Sequence, residues 1–282
     1  MQRVIASIDR EYRFLDLPDP GELLMPGILW GSFEHALTPA FWVSQAWMAG
    51  EPSPTSFQLG RTLVEEVVAC LLGGHGAPAE IGLGAFARIR EELARTRKNT
   101  LSHDRCEDLL LTPLSINGQL VRYRFARQRA KYLATSLQML RSINEAELGD
   151  IDFRNELCTL PGIGLKTASW IVRNRRASDA VAILDIHIVR ACQIMGLFPR
   201  RVDLARSYRE LEGLFLEFCL RAGARASAMD STIWGTMRTL SKRLLKRLID
   251  LTHCLKDSLP LFQMGESDVG PRRKQRGLVP TP

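Results

Sequence analysis

The sequence lacks any close grouping of metal-ligating side chains. Its six cysteines are far apart, and no two of them form a CxxC pair. Zinc sites and iron–sulfur clusters need several such ligands at short spacing, so we expect neither. We interpret the cysteines as reduced residues of the core. They are Cys70, Cys106, Cys158, Cys192, Cys219 and Cys254.

Long apolar runs are also missing. No run approaches the roughly 20 apolar residues that a membrane span needs, and the N-terminus carries no charged and apolar leader. We therefore expect a soluble, intracellular protein without a membrane partner. Hydrophobic residues still make up 45% of the 282-residue chain, which is enough to fill a core and excludes disorder of the whole chain.

The sequence has fewer acidic than basic residues. The chain has 38 Lys and Arg against 31 Asp and Glu, a net charge of +7. This excess favours a polyanionic partner, although many basic proteins bind none. Part of it lies in the tail, residues 263–282, where we expect disorder because Gly and Pro surround the charges. The charged tail residues are Arg272, Arg273, Lys274 and Arg276.

Sustained period-2 alternation is scarce, although VRYRF at 121–125 could be extended. Helical spacing dominates instead, with capping residues such as Thr38 before Pro39 and glycines that end segments. The sequence therefore predicts an all-α fold. The predicted helices span about 39–49, 59–72, 78–96, 125–141, 152–160, 165–176, 186–196, 203–221 and 227–256.

The segment LCTLPGIGLKTASWIVRN, residues 157–174, predicts a tight hairpin between two helices. Pro161, Gly162 and Gly164 favour the turn, and turn geometry alone could explain them. A sharper hypothesis is phosphate binding. Gly162, Gly164 and Thr167 would then offer backbone N–H groups at the positive N-terminus of the second helix.

Lys166 lies in the first turn of that second helix, where the helix dipole disfavours a cation. One interpretation is a surface lysine that touches phosphate. The other is that the positive field favours loss of the proton and leaves an amine nucleophile. The hairpin alone leaves both open.

Asp185 follows nineteen positions after Lys166 and directly precedes an apolar helical run. An aspartate there is by default a helix N-cap. A helix over 165–176 advances only about 16 Å, and the extended residues after it could retrace that length, so Asp185 can return to Lys166. One carboxylate oxygen could cap the helix while the other faces a cleft.

These residues resemble the helix-hairpin-helix DNA glycosylase superfamily, and within it the bifunctional 8-oxoguanine DNA glycosylase/AP lyases. The resemblance depends on LCTLPGIGLKTAS, the interval to Asp185 and the triplet Asp185–His187, and covers 157 to about 192. Weaker similarities are RYRFARQRAKYL at 122–133 and MDSTIW at 229–234. The resemblance implies a base-excision repair enzyme on damaged double-stranded DNA, monomeric, and cytoplasmic and nucleoid-associated in a prokaryote or nuclear in a eukaryote.

The resemblance also implies roles for single residues. Lys166 would attack the sugar and remain as a Schiff base that allows strand cleavage, and Asp185 would assist it. His187 would contact DNA phosphate, although an exposed histidine at a helix start explains it equally well. A monovalent cation, K⁺ or Na⁺, would bind the backbone carbonyls of the hairpin; no other cofactor is expected. Those carbonyls belong to Cys158, Leu160 and Ile163.

The pocket for the extruded base is less well defined. Trp234 and Asp230 are candidates through the weaker resemblance, with core packing and capping or salt-bridging as alternatives. The family commonly places Asn or Gln after the early helix to fill the gap left by the base, whereas this chain has LLGGHGAPAE at 71–80. His75 could be that wedge, or the segment could be a flexible loop.

We therefore expect two helical lobes with the hairpin at the cleft between them. Residues 60–202 would form the glycosylase lobe; the helical segment 1–59 and residues 203–262 would form the other. Two other functions stay open. One is a glycosylase-like enzyme that acts on a different base or nucleic acid, which Lys166 and Asp185 cannot exclude because they act on the sugar. The other is a non-catalytic DNA-binding hairpin, which has no need of Asp185.

Overall fold

The computed structural model describes residues 1–50, 58–74, 76 and 78–258. Within these ranges the chain is mainly helical, with three small antiparallel sheets of two strands each. The helices are α1 Pro39–Ala49, α2 Leu63–Leu72, α3 Ala79–Thr96, α4 His103–Leu111, α5 Ala126–Met139, α6 Asp150–Leu157, α7 Leu165–Arg176, α8 Ile186–Met195, α9 Leu204–Arg221, α10 Ala226–Met237 and α11 Lys242–Ser258, with a 3₁₀ turn at Leu140–Ser142. The strands are β1 Gln2–Ile8, β2 Glu11–Leu17, β3 Leu23–Met25, β4 Ile28–Leu29, β5 Leu114–Ile116 and β6 Gln119–Val121. The prediction of an all-α fold is confirmed in that helices dominate, and the small sheets are an addition to it.

The N-terminal segment differs from the helical prediction, because it begins with two β-hairpins. β1 and β2 pair from Gln2 opposite Leu17 to Ile8 opposite Glu11. Their turn places two non-glycine residues, Asp9 and Arg10, at φ 53° and 67°. Such a hairpin turn usually carries Gly or Asn, and because neither residue stands at these positions, no turn signal predicted the strands.

Three further differences lie later in the chain. The β5–β6 hairpin was not predicted, although it turns at Asn117 and Gly118, a pair typical of such turns. Helix α4 was not predicted either. The single helix predicted over 227–256 is two helices, α10 and α11. The hydroxyl of Ser241 accepts a hydrogen bond from the backbone N–H of Leu244 and so starts α11 as a separate helix.

The buried apolar side chains form two cores. The first contains the N-terminal strands, α1 and residues from 182 onward, including α8 to α11. The second contains residues 67–181, from α2 to α7. The buried side chains of α8 therefore belong to the same core as the N-terminal segment. The segment boundaries expected at 59, 202 and 262 stay predictions, and the tail 263–282 lies outside the described residues.

Two buried ion pairs join the cores. Arg154 of α6 pairs with Glu212 of α9, and Arg173 of α7 pairs with Asp230 of α10. Glu212 also accepts a hydrogen bond from the backbone N–H of Ala182 at 3.0 Å. Removal of one partner of a buried pair typically costs about 3–5 kcal/mol, because the other charge is left uncompensated. These pairs therefore fix how the two lobes meet.

No described helix is long and apolar enough to cross a membrane. The cysteine prediction is correct for Cys106, Cys192 and Cys219, which are buried thiols. It is wrong for Cys254, which is exposed on α11. Cys70 is half-buried and lines a cavity between the lobes.

Candidate active site

The predicted hairpin is present, formed by α6, the turn at 158–164 and α7. Gly162 has φ +83°, and a Cβ atom there would lie 2.6 Å from the ring of Tyr132, so only glycine fits. Gly164 is different: its φ is −102°, and a Cβ atom would meet nothing within 4 Å. The fold itself therefore does not require glycine at 164. The space beside this residue, at the N-terminus of α7, is open.

Lys166 is exposed in the first turn of α7, as predicted. Asp185 is the N-cap of α8, and its Oδ1 accepts hydrogen bonds from the backbone N–H groups of His187 at 2.8 Å and Ile188 at 3.0 Å. No described residue donates to Oδ2 of Asp185. The carboxylate is thus held rigidly by one oxygen while the other remains available.

One cavity of about 320 Å³ between the lobes brings these residues together. Lys166 and Asp185 both line it, and so do Asp230 and Trp234 of α10. The sequence predicted each of these four residues, and the first two came from the hairpin and its spacing. Thr167, predicted to offer its backbone to phosphate, also lines this cavity.

The α10 wall of the cavity combines an aromatic side chain with a buried carboxyl group. Trp234 is 39% exposed and lies 4.7 Å from the guanidinium of Arg238, measured to the ring centroid. Asp230 is only 3% exposed, and burial raises the pKa of its carboxyl to about 7 in spite of the opposing effect of Arg173. The negative charge of Asp185, which lines the same cavity, also raises the pKa of Asp230.

One oxygen of Asp230 pairs with Arg173 and receives a further contact from the hydroxyl of Ser231 at 3.3 Å. The other, Oδ2, is buried without a well-formed hydrogen bond to any described residue, although the Ile183 amide is close enough to lower the pKa. A buried polar atom without a partner is costly. This atom is therefore suited to a polar group of a bound ligand.

Sequence reasoning missed Trp170 and Arg173, which also line the cavity. They follow Lys166 by four and seven positions on α7, so helical periodicity places all three on one face. The guanidinium of Arg173 lies 5.7 Å from the ring centroid of Trp170. Extending the face of Lys166 along α7 would have found both residues.

Of the remaining predicted residues, those that the structure describes do not line the cavity. His187 is half-buried, and its Nδ1 has no hydrogen-bond partner in the described structure. His75 lies outside the described residues, whereas its neighbours Gly73 and Gly74 line the cavity. In the hairpin, the carbonyl of Leu160 accepts a hydrogen bond from Ile163 N–H at 3.1 Å. The described residues contain no cluster of His, Cys, Asp or Glu that could hold a metal ion.

Comparisons with known proteins match this site to a family. The family model Ogg-HhH, 8-oxoguanine DNA glycosylase, matches residues 58–224. An 8-oxoguanine DNA glycosylase/AP lyase of Metallosphaera sedula is 28% identical over 116 residues, 40% of this chain and 57% of the relative. The matched part thus spans little more than half the length of that curated relative.

Two solved structures share the fold. The 8-oxoguanine DNA glycosylase of Methanocaldococcus jannaschii has a TM-score of 0.52 and 24% identity, covering 74% of this chain and 98% of the other. The enzyme of Thermotoga maritima has a TM-score of 0.50 and 20% identity, with coverages of 72% and 96%. The resemblance predicted from the hairpin is confirmed, since the family model matches more than half of the sequence. The chain belongs to the Ogg-HhH family of 8-oxoguanine DNA glycosylases.

Proposed function

We propose that this protein excises 8-oxoguanine from double-stranded DNA and then cleaves the strand as an AP lyase. The observation that carries the proposal is the meeting of Lys166 and Asp185 in one cavity, with Asp185 fixed as a cap and its Oδ2 available. A hairpin that only binds DNA backbone has no need of this carboxylate. The volume of about 320 Å³ is at the small end of ligand pockets, which suits a single nucleoside unit.

The damaged nucleotide must leave the duplex before its glycosidic bond can be reached, at a cost of a few kcal/mol. The open N-terminus of α7 supports this step. Its backbone N–H groups at Gly162, Gly164 and Thr167 would hold phosphate there, with His187 at the start of α8 as a further contact. Gly164 favours close approach because no side chain covers it.

In the proposed chemistry, Nζ of Lys166 uses its lone pair to form a bond to C1′ of the sugar. The bond from C1′ to the base breaks, and the base leaves with that electron pair and takes up a proton. Asp185 stabilises the positive charge that develops on the sugar. The C1′–O4′ bond then breaks, O4′ takes up a proton from water, and a protonated Schiff base forms on Lys166. Water takes up the C2′ proton, and the 3′ phosphate leaves by β-elimination with the electron pair of the C3′–O bond.

The base itself would occupy the α10 side of the cavity. Trp234 and Trp170 offer aromatic faces to a flat purine, and Asp230 offers Oδ2, which has no well-formed hydrogen bond to a described residue. A carboxyl group whose pKa is raised to about 7 can be protonated near neutral pH and then both donates and accepts hydrogen bonds. This supports recognition of a purine that carries additional polar groups.

A monovalent cation at the hairpin is a further part of the proposal. The backbone carbonyls of Cys158 and Ile163 accept no hydrogen bond from described residues, so they are available as oxygen ligands beside that of Leu160. Carbonyl oxygens suit such a cation, which would add positive charge where phosphate is held.

Borohydride trapping tests the proposal. The probes are duplexes with 8-oxoguanine opposite cytosine, with uracil, with an abasic site and without damage. We expect wild-type protein to form a covalent adduct on the 8-oxoguanine and abasic duplexes. Lys166→Gln should lose the adduct, base release and strand cleavage while it still binds DNA.

Lys98→Gln is the matched control, because it removes one exposed lysine that does not line the cavity. It should trap like wild type. Adduct formation by Lys166→Gln would place the nucleophile elsewhere. Trapping on the abasic duplex alone would support the lyase activity but show that the base removed is not 8-oxoguanine.

A further inference from the structure

A second cavity, outside the proposed active site, lies between α8, the loop 196–203 and α11. Its volume is about 630 Å³. We call it the α8–α11 groove. It is lined by Ile186, Val189, Arg190, Gln193, Arg200, Arg201, Val202, Lys242, Lys246, Ile249 and Asp250. Five of these side chains are cationic and only one is acidic, so the groove is strongly positive.

Most of this positive charge is not neutralised within the protein. Asp250 pairs with Arg200 at 2.7 Å. The other four cations, Arg190, Arg201, Lys242 and Lys246, form no ion pair with any described residue. Three of them are exposed and Arg190 is half-buried. On an ordinary solvated basic helix, the charged side chains point away from one another into solvent. The cationic side chains here belong to α8, the loop 196–203 and α11, and all of them line the same groove.

The groove is built on a rigid base. Leu245 of α11 is 1% exposed in the first core, and the hydroxyl of Thr252 donates a hydrogen bond to the backbone carbonyl of Ile194 in α8. These contacts hold α11 against α8. Lys242 and Lys246, four residues apart on α11, therefore point into the groove from a fixed helix.

α8 joins the groove to the proposed active site. Asp185 and Ile188 line the catalytic cavity, whereas Ile186, Val189 and Arg190 line the groove. Arg190 lies only about 7.5 Å along the helix from Asp185, at 1.5 Å per residue. A DNA strand held at the start of α8 can therefore continue into the groove.

We infer that the α8–α11 groove binds the sugar–phosphate backbone of the same DNA duplex, flanking the damaged nucleotide, as a second phosphate-binding surface. The inference rests on the proposed function for its choice of DNA. The groove is larger than one phosphate needs, and its positive walls fit a stretch of backbone. α11 lies beyond residues 58–224, so the surface adds to the part that the family model matches.

The test measures duplex binding by fluorescence anisotropy at several salt concentrations. The probe is a duplex with a central stable abasic-site analogue, long enough to cover both cavities. The variant Lys242→Gln/Lys246→Gln removes two phosphate contacts. At 0.1 M salt we expect Kd to rise roughly 10- to 60-fold and the slope of log K against log salt to become shallower by about 1.8.

The matched control is Arg243→Gln/Arg247→Gln. These residues are exposed on the same helix, have the same spacing and the same charge, and do not line the groove. Their replacement should change Kd less than about threefold, because charges that do not line the groove act on the bound DNA only through solvent that salt screens. Equal losses for the two pairs would overturn the inference, because net charge alone would then explain binding. Unchanged binding in both would also overturn it.

A third variant should act in the opposite direction. Asp250→Asn removes the single acidic group of the groove and frees Arg200, so duplex binding should tighten several-fold. Weaker binding would contradict a phosphate surface. Thermal melting of each variant checks that the fold is intact.

Base release by wild-type protein is measured separately. If 8-oxoguanine is not released but Lys242→Gln/Lys246→Gln still loses duplex affinity selectively, the groove stands and the proposed function fails. If 8-oxoguanine is released and the two pairs behave alike, the groove fails and the proposed function stands.

Discussion

The two walls of the cavity between the lobes are built in different ways. The hairpin wall carries Lys166 and Asp185, which are close in sequence and held by backbone geometry, a turn and an N-cap. The α10 wall carries Asp230 and Trp234, which come from a distant part of the chain and are held by the buried pair with Arg173. We propose sugar chemistry for the first wall and base recognition for the second, so substitutions should separate the two roles.

Among substitutions that test the difference between the two walls, Asp185→Asn should have the largest effect on the reaction rates. Asparagine caps helices about as well as aspartate, so the melting temperature should change little. Base release and abasic-site cleavage should both slow on the order of 100- to 1,000-fold, since the charge that stabilises the sugar is lost. Single-turnover rates beside thermal melting measure both. A lower melting temperature with unchanged rates would reduce Asp185 to a cap.

Trp234→Ala should separate the walls most directly. Loss of a stacking partner is worth about 1–3 kcal/mol per base, so release of 8-oxoguanine should fall roughly 5- to 160-fold. Cleavage at a preformed abasic site has no base to stack and should change much less. The ratio of these single-turnover rates is the measurement, with Trp234→Phe as the control that restores an aromatic face. Equal losses in both reactions would break the division of roles.

Asp230→Asn should reveal the pH dependence of the α10 wall. Because burial raises the folded-state pKa of Asp230 to about 7, the folded protein holds a proton that the unfolded chain releases near pH 4. This group therefore stabilises the fold less as pH rises from about 4 to 7. The variant, which cannot ionise, should lack that decline.

Chemical denaturation of wild type and Asp230→Asn at a series of pH values measures the difference. We expect the free energy of unfolding of wild type to fall relative to the variant between pH 4 and 7, and to run parallel above that range. Parallel curves throughout would show that Asp230 is already ionised at low pH. Asp185→Asn, on the other wall, provides the comparison variant.

The smallest effect is expected from Gly164→Ala at the hairpin. A methyl group there meets nothing in the protein, so stability should fall by no more than the roughly 1 kcal/mol that alanine costs at an N-cap position. If phosphate approaches this backbone, duplex affinity should fall a few-fold. Gly162→Ala is the contrasting variant, since its Cβ would lie 2.6 Å from Tyr132 at a positive φ and should destabilise the fold. Wild-type affinity in Gly164→Ala would argue against phosphate at this turn.

Local signals explain what could be predicted from the sequence. The glycines of the turn, the lysine that follows them and the capping position of Asp185 are features of short segments, and the structure places Lys166 and Asp185 as expected. Periodicity predicted most of the helices for the same reason. The β1–β2 hairpin was missed because its positive-φ turn residues, Asp9 and Arg10, are not the usual ones.

The sequence by itself determined the hairpin, the helical class and the pair Lys166 and Asp185, because each depends on spacing along the backbone. Only the tertiary structure decided that Asp230 is buried at the same cavity as Asp185 and that Lys242 and Arg190 line one groove. These relations arise when α10 and α11 pack against earlier helices. Burial, charge pairing and the resulting pKa depend on that packing, which spacing along one segment does not specify.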